Sequence, residues 1–234
     1  MEQYIAEFIG TFLLCLVGDA SVAGVVLSKN KSSNAGWWVI SGCWGFVLMF
    51  VVLLIGPISG AHVNPAVTIA LAVAGKFAWG LVPGYIIAQL IGGILGGVFV
   101  WLAFLPHWAE TESKEAKLAV FCTGPQIRNT FTNFLCEAIS TFVLMFCILI
   151  SVSAKLAPGL PALFIGILLW MVIAAFGGPT GTAVNPARDL GPRIAHAILP
   201  IANKGGSDWS YSWIPVFGPI VGAIVAALFF FAVF

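Results

Sequence analysis

Long apolar runs alternate with short polar connections along the whole chain. Six of these runs hold almost no charged residues and cover positions 8–27, 37–58, 81–105, 134–153, 160–176 and 213–234. Each comes close to the ~20 residues that an α-helix needs to cross a hydrocarbon core of ~30 Å. A transmembrane β-barrel would show shorter segments with alternating polarity. The pattern therefore predicts an all-α membrane protein with six transmembrane helices.

Composition agrees with a chain whose main partner is the lipid bilayer. Of 234 residues, 60% are hydrophobic and 8% are charged, whereas a soluble domain of this length needs far more charge to cover its surface. The net charge of +1 gives no indication of a nucleic-acid partner. The five cysteines lack the spacing of a metal site, so no metal is expected. The first apolar run has no basic flank, which favours a retained span over a signal peptide.

The two halves of the chain resemble each other at three places in the same order. The segment "AEFIGTFLL" (6–14) matches "CEAISTFVL" (136–144), and "SGAHVNPAVT" (59–68) matches "TGTAVNPARD" (180–189). A third match pairs Gln89, Gly92 and Gly93 with Pro219, Gly222 and Ala223. Because each copy holds three spans, an odd number, the second copy enters the bilayer from the opposite side. We predict one transmembrane domain, 1–234, with inverted repeats at about 1–105 and 130–234 joined by a polar loop, 106–129.

An Asn-Pro-Ala tripeptide occurs once in each half, as Asn64, Pro65 and Ala66 and as Asn185, Pro186 and Ala187. Asparagine is a preferred helix N-cap, and proline fits the first helical position. The dozen or so residues that follow rise ~18 Å, roughly half the hydrocarbon thickness. We therefore predict two re-entrant half-helices, each preceded by an extended segment that contains glycine. A surface loop helix is the alternative for either copy alone, and the inverted pair argues against it.

Two such half-helices would bring their N-termini together at the membrane centre. Each N-terminus carries about half a positive elementary charge, which repels cations, and the asparagine amides can donate to a passing oxygen. The preceding segments would offer backbone carbonyls as acceptors, from Gly60, Ala61, His62, Thr180, Gly181 and Ala183. An apolar wall opposite would complete a path suited to a small neutral molecule with hydroxyl groups. The side chain of His62 is either a donor in this path or a packed loop residue.

Two glutamates, Glu7 and Glu137, lie at equivalent places in the spans that open the two halves. An ionisable residue at membrane depth is a candidate for function. We expect each carboxylate to accept hydrogen bonds from backbone N–H groups and so to support a re-entrant segment. The alternative is that one of them carries protons. Asp19, towards the end of the first run, is expected to be solvated or to cap the helix.

Together these features resemble the major intrinsic protein (aquaporin) family over essentially the whole chain. The resemblance rests on the two NPA boxes, on Glu7 and Glu137, and on "WIPVFGPIVGA" (213–223). Asp189 directly after Arg188, Trp44 in the second run and "ANKGGSDWSYSW" (202–213) resemble the glycerol-facilitator branch. The resemblance implies a passive channel for glycerol and similar small neutral solutes that excludes ions and protons.

The resemblance also implies a homotetramer in the cell membrane, with one pore per subunit, both termini cytoplasmic, and no cofactor or enzymatic activity. The charged residues alone favour the opposite orientation. Cytoplasmic termini leave only Lys76 and Lys155 as cations in the cytoplasmic loops, and place the following cations outside: Lys29, Lys31, Lys114, Lys117, Arg128 and Lys204. The positive-inside rule would reverse this arrangement.

The resemblance further implies a selectivity filter made of Trp44, Ile173, Thr182 and Arg188. The glycerol-facilitator pattern would have Trp, Gly, Phe and Arg there, so this chain has isoleucine for glycine and threonine for phenylalanine. One interpretation is that side-chain volume has moved from position 182 to position 173 of the filter. The other is that Thr182 widens the filter on its side and adds a hydroxyl, as in some plant intrinsic proteins. Glycerol is therefore the leading candidate solute, and the alternatives are water, dihydroxyacetone, urea, hydrogen peroxide and undissociated lactic acid.

Two other classes of function compete with a passive channel. A proton-coupled secondary transporter would share the inverted repeats and the broken helices. An intramembrane enzyme would need a catalytic set in the spans, and the three histidines, His62, His107 and His196, offer none.

Overall fold

The computed structural model describes residues 1–154 and 156–234, and Lys155, one of the two cations placed in cytoplasmic loops, lies outside them. Within these ranges the regular structure is helical. Six helical segments are long and apolar enough to cross a membrane, at Glu2–Val26, Gly36–Ser59, Trp79–Ala103, Thr130–Ser153, Leu160–Thr180 and Ile214–Val233. The prediction of six transmembrane helices is confirmed.

The α-helices are numbered in chain order. The six spans contain α1 (Glu2–Val26), α2 (Gly36–Ser59), α4 (Val82–Ala103), α7 (Thr130–Ser153), α8 (Leu160–Thr180) and α10 (Ile214–Val233), with a 3₁₀ turn at Trp79–Leu81 before α4. The shorter helices are α3 (Pro65–Val73), α5 (Leu105–Glu110), α6 (Lys114–Phe121) and α9 (Pro186–Ile198).

Two spans run past the ends of their apolar patterns and end in the same way. α2 includes Pro57 and α8 includes Pro179, each close to the end of its helix. The next glycine, Gly60 or Gly181, adopts a left-handed conformation with φ of 85° or 84° and closes the helix through its N–H. A left-handed glycine is a common helix terminator because it has no Cβ to clash. Both re-entrant segments therefore begin at a glycine turn.

The spans pack closely through glycines at equivalent positions in the two halves. α1 packs against α4, and α7 packs against α10. A Cβ on Gly92 would lie 2.4 Å from the Phe8 carbonyl oxygen, and one on Gly222 would lie 2.1 Å from the Ala138 carbonyl oxygen. Small residues of this kind let helix backbones approach in membranes, where the hydrophobic effect does not drive association.

The two NPA segments open short helices that do not cross the membrane. α3 has 9 residues and α9 has 13, which correspond to rises of ~14 Å and ~20 Å. The Asn64 side chain caps α3 by accepting from the Ala66 N–H, and the Asn185 side chain caps α9 by accepting from Ala187 and Arg188. α9 packs against α4 and α3 packs against α10, so each half-helix contacts the last span of the other half.

The long polar connection, 106–129, is more structured than a simple loop. It contains most of α5 and all of α6, which the sequence did not predict. Ser113 caps α6 by accepting from the Ala116 N–H, and Trp108 and Phe121 are fully buried and stacked on each other. Because the composition of this segment is mainly polar, the sequence predicted a loop and did not indicate that these aromatic side chains are buried.

Candidate functional site

The two asparagines of the NPA boxes bind each other's loops at the centre of the bundle. Nδ2 of Asn64 donates to the Val184 carbonyl at 2.8 Å, and Nδ2 of Asn185 donates to the Val63 carbonyl at 2.7 Å. Each Oδ1 already caps its own half-helix. An amide nitrogen carries two N–H donors, so each asparagine keeps one for the cavity that both side chains line. The ends of α3 and α9 thus meet as a pair of donors.

The segments before the asparagines are held in unusual backbone conformations. Ala61 and Val63 have φ of 51° and 42°, and Thr182 and Val184 have φ of 50° and 44°. Positive φ is a genuine outlier for a β-branched residue and persists only where the surroundings impose it. These four positions match one another across the two halves at the 121-residue offset of the NPA boxes.

Two buried glutamates impose these conformations. Glu7 on α1 accepts from the backbone N–H groups of His62 at 2.9 Å and Val63 at 2.7 Å. Glu137 on α7 accepts from Ala183 and Val184, both at 3.0 Å. Both glutamate side chains are fully buried. Charged acceptors bind backbone donors more strongly than neutral ones do.

The remaining capacity of both carboxylates is also taken by donors. Glu7 accepts from the Ser59 hydroxyl at 2.7 Å and from Gln89 Nε2 at 2.8 Å. Glu137 accepts from the Thr180 hydroxyl at 2.6 Å. A carboxylate held by several donors from the loop and from neighbouring helices serves as a fixed anchor of the loop. The geometry therefore favours support of the loops over proton carriage.

Replacing Glu137 with glutamine is expected to destabilise the protein by about 3 kcal/mol, because hydrogen bonds to charged groups contribute about 1.5–3 kcal/mol each and an amide cannot accept at both of its ends. The midpoint of thermal unfolding in detergent measures the loss. Glu2→Gln, on the exposed first turn of α1, is the control and should leave the midpoint unchanged. An equal midpoint for Glu137→Gln and the wild type would show that the carboxylate does not hold the loop.

The predicted acceptor carbonyls divide into two groups. Within residues 1–154 and 156–234, no hydrogen bond reaches the carbonyl oxygens of Gly60, Ala61, His62, Gly181, Thr182 and Ala183. Nearly all buried carbonyls in proteins find a partner, so such a row is suited to hydroxyl donors that pass it. Thr180 is different, because it is fully buried and lines neither of the cavities described below.

Two cavities meet inside the bundle. The central cavity is bounded by the re-entrant segments and both asparagines on one side, and by apolar residues on the other, including Leu48, Leu144, Ile148 and Leu169. The vestibule opens on the side of the bundle opposite the chain termini and is lined by residues that include Val22, Trp37, Thr123, Gln126 and Gly178. Four residues line both cavities, and they are Trp44, Ile173, Thr182 and Arg188. We call this set the constriction.

The constriction combines free polar groups with apolar surface. The Arg188 guanidinium carbon lies 4.1 Å from the centre of the Trp44 ring, a cation–π contact. Arg188 Nη1 and the Thr182 hydroxyl have no hydrogen-bond partner among the described residues. Ile173 faces the path from α8, and its carbonyl accepts from Trp37 Nε1 at 3.0 Å. The four residues thus place a guanidinium, a threonine, an indole and an aliphatic side chain around the path.

The sequence interpretation of Asp19 was wrong. Its side chain is fully buried, and Oδ1 lies 3.8 Å from Arg188 Nη2. α1 continues to Val26, so Asp19 lies within the span and turns toward the centre of the bundle. A charged residue inside an otherwise apolar run was the signal that could have identified it.

A second buried ion pair fixes α9 to the loops on the vestibule side, and the sequence did not predict it. Arg193 donates to Asp189 Oδ1 through Nη2 at 2.8 Å, and Asp189 Oδ2 accepts from the Thr123 N–H and hydroxyl, both at 2.7 Å. Arg193 also donates to the carbonyls of Ser207, Asp208 and Thr123. These bonds hold the half-helix that carries Arg188 in place.

His62 is packed within its loop and also lines the central cavity. Its Nδ1 lies 3.2 Å from the Thr68 hydroxyl, and its ring packs edge-on against Phe77 at 4.6 Å between centroids. No group of three or more potential metal ligands occurs within the described part of the chain.

Comparison with known proteins agrees with this architecture. Residues 1–230 match the family described as "Major intrinsic protein". The chain belongs to the major intrinsic protein family. It is 55% identical to the "Probable glycerol uptake facilitator protein" of Thermotoga maritima over 97% of both chains. It is 39% identical to the "D/L-lactic acid transporter" of Lactiplantibacillus plantarum, over 98% of this chain and 96% of that protein.

A solved structure resembles the fold closely. The aquaglyceroporin from Plasmodium falciparum superposes with a TM-score of 0.86 at 29% identity, and the match covers 98% of this chain and 94% of that one. The predicted family and the predicted all-α fold are thereby confirmed. The roles of individual residues in transport stay predictions.

Proposed function

We propose that this member of the major intrinsic protein family is a passive channel for glycerol and similar small neutral solutes. The observation that carries the proposal is the constriction, where the same four residues divide the central cavity from the vestibule. Polar groups line one side and apolar groups the other. The name of the Thermotoga maritima relative, a probable glycerol uptake facilitator, supports glycerol as the solute.

Glycerol has the chemistry that this lining fits. Its hydroxyl groups would accept from the Arg188 guanidinium, which lines both cavities, and donate to the carbonyls of the re-entrant segments, which have no partner in the described chain. Its carbon backbone would pack on the Trp44 indole and, further in, on leucines such as Leu48 and Leu144. A guanidinium presents several donors in a fixed plane, which suits neighbouring hydroxyls.

The same arrangement opposes cations. The N-termini of α3 and α9 meet at the centre, each with about half a positive charge, and Arg188 adds a full positive charge at the constriction. Hydronium and metal cations would meet this potential without an acidic group exposed in the path, because Glu7, Glu137 and Asp19 are fully buried behind it. Neutral solutes are unaffected by the potential.

Channels of this family are not enzymes, and the six spans make this chain a multi-pass membrane protein. Six spans place both termini on one side. We propose that this side is cytoplasmic, that the membrane is the cell membrane, and that the protein is a homotetramer with one pore per subunit and no cofactor. The family resemblance supports these four points.

Glycerol flux is expected to be independent of a proton gradient, because Glu7 and Glu137 are engaged in hydrogen bonds that hold the loops. Swelling of proteoliposomes in a glycerol gradient measures the flux, with and without an imposed pH difference, against protein-free vesicles. Wild-type vesicles should swell faster than protein-free ones, and at the same rate in both conditions. Glycerol uptake driven by the pH difference would instead identify a coupled transporter.

Lactic acid is the second solute to be measured, because the Lactiplantibacillus plantarum relative is named a D/L-lactic acid transporter. Its undissociated form is neutral and resembles glycerol in size. If the protein carries lactic acid at all, its uptake should fall as external pH rises and the neutral fraction decreases, while glycerol uptake stays constant. If lactic acid enters faster than glycerol at every pH, lactic acid takes the place of glycerol as the proposed solute.

A further inference from the structure

Two consecutive residues of α1, Gly18 and Asp19, lie directly behind the constriction. A Cβ on Gly18 would lie 2.4 Å from ring atoms of Trp44, so the glycine lets the indole rest against α1. Oδ1 of Asp19 lies 3.8 Å from Arg188 Nη2. One dipeptide thus backs both the aromatic and the cationic wall of the filter.

Asp19 has no other partner in the described part of the chain. Neither of its carboxylate oxygens accepts a hydrogen bond there, and the side chain is fully buried. An isolated buried carboxylate is strongly unfavourable, so an ionised Asp19 requires the guanidinium beside it. The other buried cation on α9, Arg193, is already bound to Asp189. Arg188 and Asp19 therefore form a pair of their own.

The contact involves only one end of the guanidinium. Nη2 faces Asp19, whereas Nη1 is buried without a partner among the described residues, in a side chain that lines both cavities. The planar guanidinium also lies against the Trp44 ring. Attraction on the α1 side and contact with the ring together fix the orientation of the guanidinium beside the path.

Resting on the proposed channel function, we propose that Asp19 is a positioning and charge-balancing residue of the filter. It holds Nη2 on the α1 side and so keeps the guanidinium against the Trp44 ring at the edge of the path. It also opposes the positive charge of Arg188 from within 4 Å. Without it, Arg188 and the N-termini of α3 and α9 would form an uninterrupted positive path that attracts small anions. Asp19 thereby makes the filter select neutral solutes over anions.

Nitrate entry into proteoliposomes tests this proposal, because nitrate is small and stays an anion at every usable pH. Vesicles are exposed to a potassium nitrate gradient with valinomycin present to balance charge, and glycerol swelling is recorded in parallel. Asp19→Asn should raise nitrate permeability at least about tenfold, since a unit charge at ~4 Å acts strongly even in a moderately polar site. Asp19→Glu, which keeps the charge, should stay near the wild-type rate.

Two further comparisons separate this role from a merely structural one. Ser21→Ala removes a hydroxyl from the same helix, one that within the described residues bonds to the Gly18 carbonyl of α1 itself, and should not change nitrate permeability. In an Arg188→Gln background, Asp19→Asn should have no further effect, because its partner is gone. An unchanged nitrate rate in Asp19→Asn, or the same increase in the Arg188→Gln background, would overturn the proposal.

Folding of the variants provides an additional test. If Asp19→Asn reconstitutes poorly, the double variant Asp19→Asn/Arg188→Gln should recover the yield, because it leaves no buried charge unpaired. Failure of the double variant to recover would contradict the pairing. Wild-type glycerol flux equal to that of protein-free vesicles would reject the proposed function alone, whereas nitrate entry through Asp19→Asn would still decide the role of Asp19.

Discussion

Gly222→Ala is expected to prevent most of the protein from folding. The new Cβ would lie 2.1 Å from the Ala138 carbonyl oxygen, and that atom belongs to the backbone of α7, which cannot rotate away as a side chain would. α7 and α10 would have to separate, which opens the packing that supports Glu137. Overpacking in a core usually costs about 1–3 kcal/mol, and a contact this short with backbone should exceed that range.

The fraction of monodisperse protein after size-exclusion chromatography and the thermal unfolding midpoint measure this effect. Gly92→Ala, at the equivalent place in the first half, should behave in the same way because its Cβ would lie 2.4 Å from the Phe8 carbonyl oxygen. Gly42→Ala is the matched control, since its nearest neighbours lie at 3.8 Å, an ordinary contact. A Gly222→Ala protein as stable as Gly42→Ala would show that α10 can shift freely.

Sequence reasoning reached the parts of this fold that depend on local chemistry. Helix-length apolar runs predicted the spans, and asparagine followed by proline predicted the start of both half-helices. The matched glutamates suggested bonds to the loop N–H groups, and the structure has such bonds at Glu7 and Glu137. Each of these features follows from a residue type with few alternatives at membrane depth.

Features that depend on distant partners were not predicted. Valines at 63 and 184 prefer extended backbone, yet both have positive φ in loops whose N–H groups bind carboxylates from other helices. Asp19 was interpreted as solvated because its distance from Arg188 along the chain, 169 positions, hides their proximity. Arg193 was missed for the same reason, since its partners include carbonyls in two different loops.

Ile173→Trp is expected to close the path to glycerol. Ile173 is buried at 4% exposure, lines both cavities and lies in regular helix α8, so a larger side chain can extend into the constriction without backbone strain. The indole would occupy the apolar side of the path, opposite Thr182 and Arg188. An increase of ~1.4 kcal/mol in the free-energy barrier to passage lowers a rate tenfold. An indole ring that blocks the path should therefore reduce glycerol flux by more than tenfold.

Ile167→Trp is the matched control, because Ile167 lies on the same helix but is half exposed on the outer surface of the bundle. Its tryptophan would point away from both cavities and should leave transport unchanged. Equal reconstitution of the two variants, measured as protein per lipid, ensures that a difference in flux arises in the path itself.

The central claim is that glycerol crosses the membrane through the constriction formed by Trp44, Ile173, Thr182 and Arg188. The most direct test is the rate of glycerol-driven swelling of vesicles that contain wild type, Ile173→Trp or Ile167→Trp at equal protein density. We predict fast swelling for wild type and Ile167→Trp, and a rate for Ile173→Trp close to that of protein-free vesicles. Wild-type swelling no faster than protein-free vesicles, or Ile173→Trp swelling as fast as wild type, would contradict the claim.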